Sequence, residues 1–267
     1  MVVVRITNAE QKLPSWKKFL ASSTNKVSLV EFLLDQWKQP LYAAELYIRS
    51  LFVCHGNDCE CLTSSDGQTV TSRVVNELHC WQEEADTRMF LHANHAAENG
   101  ADTVIVQSPN TDVAVIGCFF DHCISAKLML TGTKNRRRYI SLTTIAERLG
   151  ADVCKALPGY HAFTGCDSTS AFANKGDKAT FNLLTPGNCH AMQQLGAEFA
   201  VDQHLLSACE QFVCSLYGHP QSHDVNAVRY FLFSTKASQQ SSLPPTRAVA
   251  CVESELSSWC LEESTVF

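Results

Sequence analysis

Residues 101–120 read ADTVIVQSPNTDVAVIGCFF, and this stretch decides the predicted fold. Its residues 103–107 are a short apolar run, typical of a fully buried strand in a parallel sheet. A helical pattern over residues 83–99 precedes the run and ends at Asn99-Gly100, and further helical patterns follow at 143–149 and 151–162. Because buried strands that alternate with helices build a sheet with helices on its faces, we predict an α/β fold.

The N-terminal part of the chain predicts helices followed by a small sheet. Ser15 and Asn25 each precede apolar residues at helical spacing, which indicates two capped helices. Residues 51–54 and 60–63 are short strand candidates, and the turn Ser65-Asp66-Gly67 leads into the alternating residues 69–75. We therefore predict a β-hairpin in this part of the chain.

The C-terminal part predicts a second hairpin and more helices. Residues 127–130 and 139–142 flank a basic loop, and the Pro158-Gly159 pair predicts a break in the helix at 151–162. Helical spacing continues as one long amphipathic helix over 193–216 and a short one over 225–233. We predict three regions: a helical N-terminal segment (1–50), an α/β domain (51–233), and a linker with a C-terminal tail (234–267).

Composition narrows the class of protein. The 267 residues include 21 Lys and Arg against 27 Asp and Glu, and the net charge of -6 excludes a strongly basic protein that wraps nucleic acid. Thirteen cysteines are too sparse for a disulfide scaffold of this length, so we expect reduced thiols. The longest apolar run, 113–120, is far shorter than the ~20 residues of a membrane span. We expect an intracellular protein, nuclear or cytoplasmic, without a membrane partner.

Three acidic motifs lie at predicted element boundaries. Residues 82–86 (QEEAD) open a helix, residues 108–112 (SPNTD) follow the buried strand, and Gly165-Cys166-Asp167 follows residues 157–164. Carboxylates that converge from several elements suit hard divalent cations, and sheets of this class gather ligand sites at the carboxyl ends of their strands. Taken singly, each motif also fits a structural role as a helix cap or a first-turn acid.

In this order, the three motifs resemble those of the PIN-like flap-endonuclease (XPG-like) superfamily. That family has an acid-Ala-acid pair, an Asp-x-Asp pair and a Gly-x-Asp, followed by a helical motif that holds duplex backbone. The phrases EEADTRMFLHANHAA (83–97), ALPGYHAFTGCDSTSAFANKG (156–176) and LPSWKKFL (13–20) are similar to a group of multicopy animal proteins in that superfamily. The close likeness covers about residues 13–184.

The resemblance implies a PIN-like three-layer fold with a mainly parallel sheet flanked by helices, and metal-dependent phosphodiester hydrolysis of nucleic acid. Mg²⁺ or Mn²⁺ is the implied cofactor. Asn110 stands where the family usually has Asp, and the chain resembles the family only from after its first two strands, which carry further acids. We therefore expect the first strands to be missing and activity to be weak or absent. The implied catalytic residues and metal ligands are Glu84, Asp86, Asp112 and Asp167, with Asn110 as a further ligand.

Basic residues are the candidates for nucleic-acid binding. The dense cluster at 134–138 contains Arg136, Arg137 and Arg138, which can hold phosphates or can simply form a solvated hairpin tip. Lys175 and Lys178 lie in the turn that, by the resemblance, would contact a DNA backbone. The second functional hypothesis is a non-catalytic module that binds nucleic acid or protein, as a remnant of a mobile element.

Cysteine and histidine residues offer weaker signals. Cys54, His55, Cys59 and Cys61 are soft metal ligands, but the nearest later pair, His79 and Cys80, is a loose match for structural zinc. A zinc-stabilised interaction domain is therefore the third hypothesis, below a hairpin that merely contains cysteines. His161 fits either a ligand or base, or a histidine bonded inside the core, and the core role is the more frequent one.

Overall fold

The computed structural model describes residues 3–8, 10–13, 15–81, 85–120, 124, 126–166, 169–184, 186–195, 202–236 and 240–250, with the side chains at 177, 186–188 and 236 left out. The chain divides into two compact units, residues 1–83 and 84–267. Helices and strands occur in both, so the fold is of the α/β type. The predicted regional boundaries, at 50/51 and 233/234, stay predictions.

The first unit combines helices with a three-stranded antiparallel sheet. Its elements are α1 (Trp16–Leu20), α2 (Ser23–Trp37), α3 (Ala43–Leu46), β1 (Leu51–His55), β2 (Asp58–Thr63) and β3 (Thr71–Val74), with the strands in the order β1-β2-β3. Leu34 of α2 and Leu46 of α3 are buried against Val53 and Leu62 on one face of this sheet. The predicted hairpin is therefore confirmed.

Helix α2 begins earlier than predicted. Its N-cap is Ser22, and Asn25 lies within the helix, fully buried. The Asn25 Oδ1 accepts a hydrogen bond from the Val4 amide at 2.8 Å, and its Nδ2 donates to the Phe19 carbonyl at 3.1 Å. The polar side chain that indicated a cap thus satisfies backbone groups outside its own helix, and the prediction of Asn25 as the cap was wrong.

The second unit is mostly helical around a small mixed sheet. Its elements are α4 (Ala85–Glu98), β4 (Val104–Gln107), α5 (Thr111–Phe119), β5 (Lys127–Thr131), β6 (Arg138–Ser141), α6 (Leu142–Leu149), α7 (Ala151–Thr164), α8 (Asp177–Phe181), α9 (Pro186–Gln194), α10 (Gln203–Leu216) and α11 (Val225–Lys236). The strand order is β4-β5-β6, with β4 parallel to β5 and β6 antiparallel to β5. This order confirms the parallel strand after α4 and the second hairpin.

The sheet differs from the prediction in two ways. Among the described residues, β4–β5 is the single parallel pairing beside three antiparallel ones, so the expected mainly parallel sheet is not observed there. Strand β4 is also not fully buried, because Val106 is 5% exposed but Ile105 is 51% exposed. The Val106 face joins the core with Phe90 and Val113, whereas the opposite face lies open.

Helix α7 runs through the core without the predicted break. It is continuous from Ala151 to Thr164 and contains Pro158. A Cβ atom added at Gly159 would collide with the carbonyl oxygen of Met192 in α9. Pro158-Gly159 therefore marks a close approach between two helices instead of a helix end.

The C-terminal helices also deviate from the sequence pattern. The predicted helix at 193–216 is divided, since α9 ends at Gln194 and α10 begins at Gln203, where Asp202 accepts a hydrogen bond from the Leu205 amide at 2.7 Å. Within the segment predicted to be a linker, Leu243 is buried. No helix in the described part of the chain is both long and apolar enough to cross a membrane.

Candidate functional site

Asp86, Asn110 and Asp112 lie together at the carboxyl end of β4. Asp86 is in the first turn of α4, Asn110 is the N-cap of α5, and Asp112 is in the first turn of α5. The link from β4 to α5 is ordered locally, because the Asn110 amide donates to Ser108 Oγ at 3.1 Å. The two acids also lie near helix N-termini, where the helix dipole favours negative charge.

Asn110 joins the two carboxylates. Its Nδ2 donates to Asp86 Oδ2 at 2.8 Å and to Asp112 Oδ2 at 3.2 Å, while its Oδ1 accepts from the Asp112 amide at 3.1 Å. One neutral side chain therefore caps α5 and satisfies an oxygen of each acid. The alternative that Asp112 itself caps the following helix was wrong, because Asn110 has that role.

His161 completes the cluster from the last turn of α7. Its Nε2 lies 3.0 Å from Asp112 Oδ1. This nitrogen is inaccessible to solvent, and among the described residues it makes no hydrogen bond of good geometry. Its neighbours Ala162 and Phe163 are buried, but the His161 side chain is 26% exposed and turned toward the acids. His161 therefore lies beside the acids, and its role as a ligand or base stays a prediction.

The four side chains suit a divalent cation in their chemistry but are not gathered around one point. Two carboxylates and an amide oxygen are hard ligands, and the imidazole is a borderline one. Asp86, Asp112 and His161 do not bring one ligand atom each within 4.8 Å of one another. The Asn110 amide lies between the two acids.

Two predicted site residues, Glu84 and Asp167, lie outside the described residues. The turn before Asp167 is described: Gly165 has a φ of +123°, and a Cβ atom there would press on Ala171. Cys166 donates its amide to Thr169 Oγ1 at 3.1 Å, and that hydroxyl contacts the Ala162 carbonyl at 2.5 Å. Gly165 is therefore required for the tight turn that ends α7.

The basic loop leaves the same edge of the sheet as the acidic residues. Gln107 is paired with Leu130 in the parallel ladder, and the Ser108 amide donates to the Leu130 carbonyl at 3.2 Å. The chain after β4 and the chain after β5 thus begin side by side. Gly132, with a φ of +86°, permits the loop to fold back on the Arg136 carbonyl. The candidate phosphate ligands Arg136, Arg137 and Arg138 are all exposed there.

Lys175 and Lys178 differ in their surroundings. The Lys175 Nζ lies 4.6 Å from the ring centroid of Tyr217, whose hydroxyl donates to the Ala173 carbonyl at 3.1 Å. Lys178 is exposed on α8, and α8 is attached to α7 by the 2.6 Å contact between Thr180 Oγ1 and the Tyr160 hydroxyl. Lys178 is therefore accessible to a ligand, whereas the charge of Lys175 already contacts an aromatic ring.

The cysteine-bearing hairpin divides its candidate zinc ligands between two faces. Cys54 is directly opposite Cys59, and Cys61 shares their face because side chains alternate along a strand. His55 lies on the other face, with its Nε2 3.3 Å from Glu60 Oε1, and His79 Nδ1 lies 2.9 Å from Asp58 Oδ1. His55 and the thiols therefore cannot ligate one ion, so that zinc set was wrong.

Comparison of the chain with protein-family models, with curated proteins and with solved structures gives no match. The arrangement of side chains therefore carries the functional argument.

Proposed function

We propose that this chain is a nuclease-related protein with a PIN-like fold that holds a divalent cation at Asp86, Asn110 and Asp112 and binds nucleic acid beside it. The observation that carries the proposal is the hydrogen-bonded triad of these residues at the carboxyl end of β4. Such an edge is where α/β sheets bind ligands. Asp86 and Asn110 meet there although the rest of α4 and all of β4 lie between them in the sequence.

The residues around the triad suit a phosphodiester substrate. A divalent cation, when bound, supplies positive charge to phosphoryl oxygens and increases the acidity of water. Asp86 and Asp112 provide the carboxylates that hold such a cation, and Asn110 fixes their separation. The exposed arginines of the 134–138 loop start from the same sheet edge and can bind backbone phosphates, which position a strand without reading its sequence.

Hydrolysis by this site is expected to be slow. The Asn110 amide contributes no negative charge, and its Nδ2 group already donates to both carboxylates. A cation that uses these oxygens has to replace hydrogen bonds to charged groups, each of about 1.5–3 kcal/mol. The cation is therefore held more weakly than by three acids.

A non-catalytic binding module is the second candidate function. The same hydrogen bonds favour it, because the two acids are satisfied without a cation. In that case the basic loop binds a phosphate backbone and no bond is broken.

Cleavage and binding assays separate the two functions. Labelled single-stranded and flap DNA are incubated with the purified chain and Mg²⁺ or Mn²⁺, and cleavage and affinity are both measured. The nuclease proposal expects slow cleavage that is lost in Asp86→Asn and Asp112→Asn. The matched control is Asp102→Asn, which changes an exposed aspartate outside the triad and should behave as wild type.

The other outcomes are equally informative. DNA binding without cleavage, weakened when Arg136, Arg137 and Arg138 are changed to Gln, supports the non-catalytic module. Robust cleavage that is lost in Asp112→Ala and Asp167→Ala would overturn the expectation of weak activity. If neither binding nor cleavage is found, both functions are rejected.

A further inference from the structure

We propose that Asp112 and His161 are adjacent ligands of one divalent transition-metal ion, so that the site selects Mn²⁺ over Mg²⁺. This inference rests on the proposed function in treating the acidic cluster as a cation site. It adds to that site a nitrogen ligand from α7, beside the carboxylate of Asp112.

The contact between the two side chains has the geometry of neighbouring ligands. Two ligands in adjacent positions of an octahedral ion, each about 2.1 Å from it, lie about 3.0 Å apart. His161 Nε2 and Asp112 Oδ1 are separated by 3.0 Å. In that arrangement the oxygen lies about 45° away from the direction of the nitrogen lone pair, which is too far for a well-formed hydrogen bond.

The absence of a hydrogen bond at His161 agrees with this geometry. Its Nε2 is inaccessible to solvent and has no hydrogen-bond partner among the described residues, although a carboxylate oxygen is within reach. A histidine held only by an Asp–His hydrogen bond would direct its ring N–H at that oxygen. The ring nitrogen and the carboxylate oxygen can instead face a common cation.

The two ligands are held on well-packed helices. Val113, next to Asp112, is fully buried, and so is Phe163 near His161. Both residues belong to the same hydrophobic core, which fixes the first turn of α5 relative to the last turn of α7. Ligands attached to a packed core keep their separation when the ion leaves, which lowers the cost of ordering a site.

The nitrogen ligand determines which ion is preferred. Mg²⁺ takes oxygen ligands and keeps its waters, whereas imidazole suits transition ions. Among these, Mn²⁺ is the appropriate probe, because softer ions such as Zn²⁺ also bind the cysteine thiols that occur throughout this chain.

The test measures metal binding by the full chain, without reference to cleavage. Calorimetry with Mn²⁺ and with Mg²⁺ should show at least about 10-fold tighter Mn²⁺ binding, which corresponds to about 1.4 kcal/mol. Pulsed electron paramagnetic resonance of bound Mn²⁺ should show coupling to a ¹⁴N nucleus. In His161→Gln the coupling should disappear and the Mn²⁺ preference should fall at least about 10-fold.

His204→Gln is the matched control, because His204 is exposed on α10 and should keep both the coupling and the preference. Equal affinity for the two ions, or no nitrogen coupling in the wild-type chain, overturns the inference, and the second result does not depend on whether His161→Gln folds. If the metal-binding results contradict this inference but Mg²⁺-dependent cleavage is observed, the proposed function stands. Nitrogen-coordinated Mn²⁺ without cleavage or DNA binding rejects the proposed function alone.

Discussion

Replacing Asn110 with aspartate should make the stability of the chain depend on a divalent cation. Asp is as good an N-cap as Asn, so the start of α5 should be preserved. The change removes the two Nδ2 hydrogen bonds to Asp86 and Asp112, at 2.8 and 3.2 Å, and places a third negative charge between them. The free chain should therefore be destabilised, and binding of a cation should offset that loss.

The magnitude follows from these contacts. Each lost hydrogen bond to a charged group is worth about 1.5–3 kcal/mol, and like charges about 4 Å apart repel by up to about 4 kcal/mol at an effective dielectric near 20. Because the site is partly exposed, relaxation and solvent reduce the sum, and we expect Asn110→Asp to lower the unfolding free energy by about 3 kcal/mol in EDTA. With saturating Mn²⁺ the additional charge attracts the ion, and its affinity should rise by about 100-fold.

Urea denaturation in EDTA and in Mn²⁺, together with calorimetry, measures both effects. The matched control is Asn94→Asp, which makes the same change beside one carboxylate, since Asn94 Nδ2 donates to Glu98 Oε1 at 3.2 Å on the surface of α4. The free energy of unfolding of that variant should fall by only about 0.2–0.5 kcal/mol, whether or not the cation is present. An equal loss of stability with and without Mn²⁺ in Asn110→Asp would refute a shared cation site at the triad.

The remaining predictions concern buried and paired charges. Lys127 is fully buried and donates to two backbone carbonyls at the end of α5, each at 2.6 Å. Lys127→Met should therefore lower the free energy of unfolding by about 3 kcal/mol, measured by urea denaturation. The exposed control Lys155→Met should leave it almost unchanged. Glu210 is buried and accepts from the first amide of α11 at 3.0 Å, so Glu210→Gln should cost about 1–3 kcal/mol by the same measurement. Burial raises the pKa of Glu60, but the hydrogen bond and charge of Lys38, together with other groups that contact Glu60, lower it by more. The pKa of Glu60 therefore lies below its usual value. The free energy of unfolding of wild type should therefore exceed that of Glu60→Gln by its full amount above about pH 4.5, and this difference should vanish as the pH falls through the lowered pKa. A difference in stability that does not depend on pH would contradict the ion pair.

The sequence predicted the part of the site that is formed by residues close together along the chain. The apolar run before Ser108 indicated β4, and a strand that ends just before Asn110 brings Asp112 to the first turn of the next helix. The contact with His161 was not predictable in the same way. It depends on how α7 packs against α5, and the sequence pattern of α7 shows only that most of its face is apolar.

The wrong predictions about β4 and the C-terminal segment have the same physical origin, because both depend on contacts between distant parts of the chain. An apolar strand such as residues 104–107 can be covered on one face or on two, and its own sequence does not say which, so the exposure of Ile105 was missed. The Ser- and Pro-containing segment near residue 244 lacks periodicity, yet Arg229 donates to the Pro244 carbonyl and Arg247 lies 3.2 Å from Glu210. Contacts between distant segments fix these residues, and periodicity reports only local structure.

The side chain of Asn110 affects both candidate functions of the cluster. With an amide at this position, the carboxylates of Asp86 and Asp112 are held together at all cation concentrations, and the cluster has no need of an ion for its stability. The same amide leaves Asp112 Oδ1 beside the Nε2 of His161, so a cation that does bind can use that oxygen without breaking the Asn110 bonds. An amide at this position thus disfavours a site built from carboxylates alone and favours one with a nitrogen ligand. The Mn²⁺ measurements on His161→Gln and Asn110→Asp separate these effects, because the first should remove the nitrogen-dependent preference and the second should restore attraction by charge alone.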